Sequence, residues 1–300
     1  MRFLFFEGDS EIDTRIKYLN EELSALEDVE SFLYTRGVDS VYNALDVVNP
    51  DIVCCDIHSI PSDLITYMSK EKHKAKLVLL SDSRDSVENL MALQQRIEEE
   101  KVDFFKFIST SQNADKNKKL KVVRVTNGYD RKCNTYLDSQ KPRINFKYQT
   151  ALFCNTLTTP DQYQYVLDSV QHFHPLYVDT NKPRQIKSGI SMPQYIDILF
   201  LFRHYDEVIF TGIDRDLPQA FFDCLGLGKK TYYICNNEES SKRSSEVIAK
   251  VFGDFNLDYQ SEEKLSDFTD IQKIVHEKHS SYNRAKSFLS QMPKIKQENV

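Results

Sequence analysis

Apolar residues along this chain recur in two registers. Short unbroken runs of about five alternate with longer segments in which they return every third or fourth position. The first register reads as strands buried on both faces, the second as helices with one apolar side. Residues 2–6 (RFLFF) form such a run and end at Glu7-Gly8-Asp9, after which Ile12, Ile16, Leu19, Leu23 and Leu26 follow at helical spacing. Glu30–Thr35 predicts a second strand, and Val38–Val48 a helix stopped by Asn49-Pro50. Asp51–Asp56 (DIVCCD) is a continuous apolar strand. Further strands are predicted at Lys76–Leu80, Phe104–Ile108 and Lys121–Val125, with a helix over Ser86–Glu100. Strand and helix in quick alternation are the signature of a parallel α/β layer.

Residues 127–149 interrupt this rhythm. They are polar, include Gly128 and Pro142, and show no helical period, so a domain boundary is placed there. A second series then begins. It predicts strands at Thr150–Asn155, His174–Asp179, Glu207–Thr211 and Thr231–Cys235. The intervening helices open at Thr159-Pro160-Asp161, span Gln194–Arg203, and run over Leu217–Leu227 as an amphipathic segment closed by Gly228. Ser240–Phe252 and a long terminal segment, Asp267–Met292, complete the helices. The expected architecture is α/β, with two Rossmann-like parallel-sheet domains facing a cleft and a long C-terminal helix. Residues 1–130 form the first domain, 131–149 a linker, 150–265 the second domain, and 266–300 the terminal helix and tail.

Composition narrows the picture. Three hundred residues, 40% of them hydrophobic, suffice for two cores of this kind. A net charge of −6 argues against a nucleic-acid partner. The six cysteines (54, 55, 133, 154, 224 and 235) are scattered without a C-x-x-C, which indicates neither a zinc site nor a disulfide framework. No apolar run approaches the roughly 18 residues needed to cross a bilayer, so a cytoplasmic protein is expected. Residues 116–132 hold seven Lys or Arg. They read as a solvated loop, as a phosphate-facing edge, or as a peripheral contact with the anionic inner face of a membrane.

Candidate chemistry gathers at two strand ends. After the strand Glu207–Thr211, Thr211-Gly212 and Asp216-Leu217-Pro218 would offer a hydroxyl and backbone N–H groups to phosphates where a helix begins. Asp223, further along that helix, has two acceptor oxygens suited to a ribose diol. Lys229 and Lys230 are candidates to offset the acidic loop. In the first half, His58 lies just past a strand end, where a general base acts. Gly8 permits close approach of a substrate, with Asp9 and Asp13 as acidic groups beside it. Each has a plainer reading as a strand-to-helix turn, a dipole-stabilised helix Asp or an exposed His.

Four segments carry a resemblance. Asn49-Pro-Asp-Ile-Val-Cys-Cys-Asp-Ile-His58 is the first, and Phe107-Ile-Ser-Thr-Ser-Gln with Val122-Val-Arg-Val-Thr-Asn-Gly-Tyr-Asp130 the second. Ser188 through Gly212 is the third, and Asp223-Cys-Leu-Gly-Leu-Gly228 the fourth. In this order they resemble the motifs of GT-B glycosyltransferases of the GT4-like group (glycosyl transferases group 1). The resemblance implies a nucleotide-sugar donor bound at Thr211, Gly212, Asp216, Leu217, Pro218 and Asp223, with Gly8 on the acceptor side and His58 and Asp9 as catalytic groups. It implies a saccharide, lipid-linked or protein acceptor in surface glycan synthesis, no cofactor besides the donor substrate, and no metal. The sequence departs from the pattern at three places. Arg215 stands where the first family Glu is expected, Phe153–Asp161 lacks the basic diphosphate clamp, and the glycine-rich acceptor loop is reduced to Glu7-Gly8-Asp9. These departures suit an inactive scaffold that binds a partner glycosyltransferase or a glycan. Residues 1–110 also resemble a response-regulator receiver, with Asp56 as phosphoacceptor, Ser81 as its hydroxyl residue and Lys106 as its lysine.

Overall fold

The structure, a computed structural model, describes residues 1–7, 12–35, 40–70, 74–82, 85–111, 117–131, 150–154, 160–170, 173–177, 190–191, 205–211, 213, 216–263 and 265–293. The chain divides into two compact units. The first comprises Met1–Thr126 with Ser281–Val300, the second Asn127–Ser280.

The first unit holds strands β1 (Arg2–Phe6), β2 (Glu30–Tyr34), β3 (Ile52–Asp56), β4 (Lys76–Ser81), β5 (Phe104–Ser109) and β6 (Val122–Arg124). They form one parallel sheet in the order β2-β1-β3-β4-β5-β6. Four helices connect them: α1 (Ile12–Leu23), α2 (Val41–Val48), α3 (Ser62–Lys70) and α4 (Val87–Glu99). Ser40 and Ser86 cap α2 and α4 by accepting the N–H of Asn43 and Asn89. Strand alternation splits the core in two. Phe3, Phe5, Cys54, Val78 and Leu80 pack under α1, whereas Leu4, Phe6, Val53, Cys55, Leu77 and Leu79 pack under α2, α3 and α4. Burial on both faces is why these strands read as unbroken apolar runs.

The second unit repeats the plan with β7 (Thr150–Cys154), β8 (Phe173–Tyr177), β9 (Ile190–Ser191), β10 (Glu207–Thr211) and β11 (Lys230–Ile234). Its parallel order is β11-β10-β7-β8-β9. Helices α5 (Pro160–Ser169), α6 (Gln219–Gly226), α7 (Glu238–Phe252) and α8 (Phe268–Lys278) accompany it. In each sheet the winding direction reverses once, between β1 and β3 and between β7 and β10. The carboxyl ends of those strand pairs are the positions where open α/β sheets bind ligands.

The expected single helix Asp267–Met292 is broken. It is divided into α8 and α9 (Ser281–Ser290), because the His279 carbonyl accepts the Tyr129 N–H at 2.7 Å and Ser280 bridges Tyr129. Helix α9 packs with α1 against the first sheet, where Phe288 meets Phe3 and Phe5 at 6.0 and 6.1 Å. Helix α6 also differs from expectation. Every residue from Ala220 to Gly226 is buried, so it is a core helix rather than an amphipathic one. Its stop at Gly228 is as predicted: that glycine has φ +78°, and the following N–H of Lys229 returns to the Cys224 carbonyl at 2.9 Å. The predicted helix 194–203 and most of the linker 131–149 lie outside the described residues.

Candidate functional site

At the carboxyl edge of the first sheet, Asp56 closes β3 and turns the chain. Its carbonyl accepts the Ser59 N–H at 3.0 Å, and its fully buried carboxylate accepts the His58 N–H at 3.0 Å. That turn lifts the His58 ring to the surface, where half of it stays exposed. Its Nε2 lies 2.8 Å from Asp85 Oδ1, on a side chain only 3% exposed. Asp85 is held from its other oxygen by the Asp82 N–H at 2.8 Å, just ahead of α4. Burial pushes the Asp85 carboxyl above its ordinary range. The Asp82 N–H and His58 oppose that rise, and the Asp82 and Asp56 charges add to it. With Nε2–H donated to Asp85, Nδ1 carries the ring lone pair, the form a general base needs. Sequence reasoning found His58 but missed Asp85, which comes from a separate strand-to-helix loop.

Gly8 and Asp9, the acceptor-side and second catalytic candidates, lie outside the described residues. The flanking Glu7 is paired with Lys17 at 2.7 Å, and that hydrogen bond holds its carboxyl below the ordinary range.

The receiver constellation is not assembled. Ser81 is in register with Ser109, while Lys106 pairs with Val78, three residues short of the strand end. Lys106 lies against the Phe105 ring at 4.5 Å, and Asp56 is closed off from solvent. An acyl-phosphate site needs an accessible aspartate with the lysine at its own level, so the reading of Asp56 as phosphoacceptor is withdrawn.

In the second unit, β10 ends at the buried Thr211, in register with Cys154 at the topological switch point. Gly212, Asp214 and Arg215 lie outside the described residues. Asp216 Oδ1 accepts the Leu217 N–H at 2.8 Å, and the Leu217 carbonyl accepts Asn127 Nδ2 at 3.2 Å. Pro218 is the N-cap of α6 and gives no side-chain cap. The Leu217 side chain is in the core, so only its backbone can face a ligand.

Asp223 is 0% exposed. Its carboxylate accepts the Asp130 N–H at 3.2 Å and Gln219 Nε2 at 3.2 Å, and the same Nε2 reaches the Gly128 carbonyl. The carboxylate therefore ties residues 128–130 onto α6, and a ribose diol could reach it only if those bonds opened. Lys229 and Lys230 are misplaced for a compensating role. Lys230 begins β11 in register with Glu207 at the start of β10, and the four residue steps of that parallel strand separate the edge from Thr211 by about 13 Å.

Burial raises the thiols of Cys54, Cys55 and Cys224. With Cys235 they are free cysteines of the core, as expected of small apolar side chains. No cluster of three metal-ligating residues occurs among the described residues, and no helix described is long and apolar enough to cross a membrane. Within the basic stretch 116–132, Lys121 pairs with Glu98 at 2.8 Å and Arg124 ends β6.

No protein-family profile and no characterised protein matches the chain by sequence. Solved structures do match it. An Escherichia coli structure described as trehalose-6-phosphate bound with UDP-2-fluoro glucose aligns over 98% of this chain and 99% of that one, at TM-score 0.54 and 9% identity. The N-terminal domain of trehalose-6-phosphate phosphatase from Candida albicans aligns over 96% and 97%, at 0.54 and 10% identity. Sucrose-phosphate synthase from Thermosynechococcus elongatus aligns over 97% and 94%, at 0.50 and 9% identity. The chain has the GT-B fold. At such identities it is the fold of GT-B glycosyltransferases that is shared, with two parallel-sheet units each ending in a switch-point edge. The receiver reading left everything beyond residue 110 unexplained; the GT-B fold accounts for nearly the whole chain.

Proposed function

We propose that the protein is a glycosyltransferase that moves a sugar from a nucleotide-sugar donor to a hydroxyl of an acceptor, most simply a saccharide. The hydrogen-bonded His58–Asp85 pair carries this reading. His58 Nδ1 takes the proton of the acceptor hydroxyl as its oxygen attacks the anomeric carbon. The bond from that carbon to the nucleoside diphosphate breaks, and the diphosphate leaves with the electron pair. Asp85 fixes the imidazole tautomer and stabilises the imidazolium that forms, an arrangement familiar from other His–carboxylate catalysts. The donor is assigned to the β10–α6 connection at Thr211, Asp216, Leu217 and Pro218, where the first turn of α6, which Pro218 leaves without a side-chain cap, would face its phosphates. Gly8 and Asp9 stay assigned to the acceptor side, and the ordered sequence motifs favour the GT4-like group.

Release of nucleoside diphosphate from a panel of nucleotide sugars, with and without saccharide acceptors, tests the proposal. His58→Ala is expected to lower turnover by about 100-fold or more with an unchanged melting temperature. Turnover that survives in His58→Ala would remove the base assignment.

A second reading is favoured by one observation. In the sequence Phe153–Asp161 carries no basic residue where the diphosphate clamp is expected, and Lys229 and Lys230 sit at the opposite edge of the sheet from Thr211. An inactive GT-B scaffold that binds a glycan or a partner glycosyltransferase needs no diphosphate clamp. Absence of nucleotide-sugar binding by calorimetry, with glycan binding retained, would select it.

A further inference from the structure

Arg15, on α1, is a buried cation with no countercharge. It is 6% exposed, and its Nε has no hydrogen-bond partner. Among the described residues no carboxylate forms an ion pair with it. A guanidinium stays charged at every working pH, and burying one without an anion is costly. Its Nη2 donates to the Ser81 carbonyl, at the end of β4, at 3.2 Å.

That carbonyl belongs to the peptide group that serves the candidate base. The same peptide unit carries the Asp82 N–H, which donates to Asp85 Oδ2 at 2.8 Å. Asp85 Oδ1 in turn holds His58 Nε2 at 2.8 Å. No peptide bond among the described residues is cis, and a trans peptide points its carbonyl and its N–H in opposite directions. Arg15 and Asp85 therefore flank one rigid plane, a cation on its oxygen side and a carboxylate on its hydrogen side. The Thr110 N–H, just past β5, adds a second bond to the same oxygen at 3.3 Å. Ser81 is wholly buried, so water does not stand in for either donor.

A hydrogen bond from an ionised donor is stronger than a neutral one, and a donor on the carbonyl polarises the N–H of the same amide. Aim and strength of the Asp82 N–H are thus both set from the Arg15 side.

We propose that Arg15 is a positioning residue for the His58–Asp85 pair: through the Ser81–Asp82 peptide it fixes and strengthens the N–H that anchors the Asp85 carboxylate. The catalytic consequence rests on the glycosyltransferase reading; the relay itself does not. A plain strut between α1 and β4 would act on Asp85 with the opposite sign. The groups that face this carboxyl are Asp82 in its own loop, His58 and Asp56 from the β3–α3 turn, and Arg15 behind the peptide. The Asp82 N–H opposes the rise that burial gives Asp85. Loss of the relay weakens that N–H and moves the carboxyl further up. Loss of a strut opens the loop to water and moves it down toward the ordinary carboxylate range.

A carboxyl 13C NMR titration of the full chain tests this in the wild type, Arg15→Met and Arg15→Lys, with Asp85→Asn to assign the signal. Asp85 is expected to titrate higher in Arg15→Met, with the Asp82 amide proton shifted upfield as its hydrogen bond weakens. Arg15→Lys keeps a charged donor and is expected to stay nearer the wild type. An Asp85 titration that falls or does not move in Arg15→Met overturns the relay. So does a rise without the Asp82 shift, which belongs to the field of Arg15 alone. Should Arg15→Met fail to fold, the wild type decides: its Arg15 guanidinium 15N signals are expected to follow the Asp85 titration, and signals blind to it overturn the relay. In the transfer assay, Arg15→Met is expected to lower kcat about tenfold with KM little changed. The expected Asp85 shift with kcat unchanged, or in a chain that transfers no sugar, keeps the relay and overturns only its catalytic role.

Discussion

Gly226→Ala is expected to be severe although the position is helical. A Cβ built there would meet Tyr129 Cδ2 at 2.2 Å, Cγ at 2.3 Å and Cε2 at 2.6 Å. Carbon atoms attract only from about 3.5 Å outward, so the methyl would sit inside the ring. The ring has no easy retreat. Tyr129 is buried, packs edge-on to His276 at 5.1 Å, and is pinned by its N–H to the His279 carbonyl at 2.7 Å. Overpacking of this kind costs about 3 kcal/mol. For a domain the size of the second unit that lowers the melting temperature by roughly 6–12 °C. Gly228→Ala is the control. Gly228 has φ +78° but nothing within 4 Å of its added Cβ, so its cost is conformational alone, about 1 kcal/mol. Urea unfolding of both variants gives the two numbers. A third measurement isolates the cause: in a Tyr129→Ala background, Gly226→Ala should cost far less than alone, a coupling a double-mutant cycle reads directly. If Gly226→Ala costs no more than Gly228→Ala, the close packing of Tyr129 on α6 is not what this glycine serves.

Asp223→Ala should destabilise by about 1–3 kcal/mol, because it takes the carboxylate acceptor from the Asp130 N–H and leaves Gln219 Nε2 only the Gly128 carbonyl. If instead the variant unfolds like the wild type but loses nucleotide-sugar binding, the ribose role for Asp223 is restored. For Asp85 the sign runs through proton binding. Its carboxyl is raised by burial, so the folded protein keeps a proton that the unfolded chain has released, and its stabilising contribution is lost as pH rises from the ordinary carboxylate range through the raised value. Asp85→Asn should therefore flatten the fall of the urea midpoint as pH rises above the ordinary carboxylate range, and an unchanged slope would contradict the burial account.

The strands were legible because burial on both faces leaves a simple record, a run such as Phe3–Phe6 or Ile52–Asp56 with no polar interruption. Their parallel order then fixed where ligands could sit, and His58 was found by its place past β3. What the sequence hid was tertiary. Asp85 meets His58 only because β3 and β4 are neighbours, and nothing in Ser81–Ser86 marks one of its two aspartates above the other. The break at His279 was hidden too: Ile271, Val275, Ala285 and Phe288 keep an apolar period across it, and the interruption comes from the Tyr129 backbone, far away in the chain. Two misreadings had signals available. Between Gln219 and Leu225 only Gln219 and Asp223 are polar, so a helix apolar nearly all round was already on view, and its lone acid was bound to be buried. Lys229 and Lys230 precede a strand that runs parallel to β10, which places them at the amino edge.

Segments far apart in the sequence meet in the first unit. Strand β1 and helix α1 share a face of the sheet that is closed by α9, more than 250 residues later. Phe288 covers Phe3 and Phe5, and the Ser281 hydroxyl donates to Glu22 in the final turn of α1. Arg284 adds a bond at 2.7 Å to the Thr126 hydroxyl, just beyond β6, although burial makes its charge less favourable. Helix α9 therefore braces both α1 and the chain just past β6. A segment distant in sequence thus fixes two elements of the first unit through packing, which is why that unit is built from residues far apart in the chain.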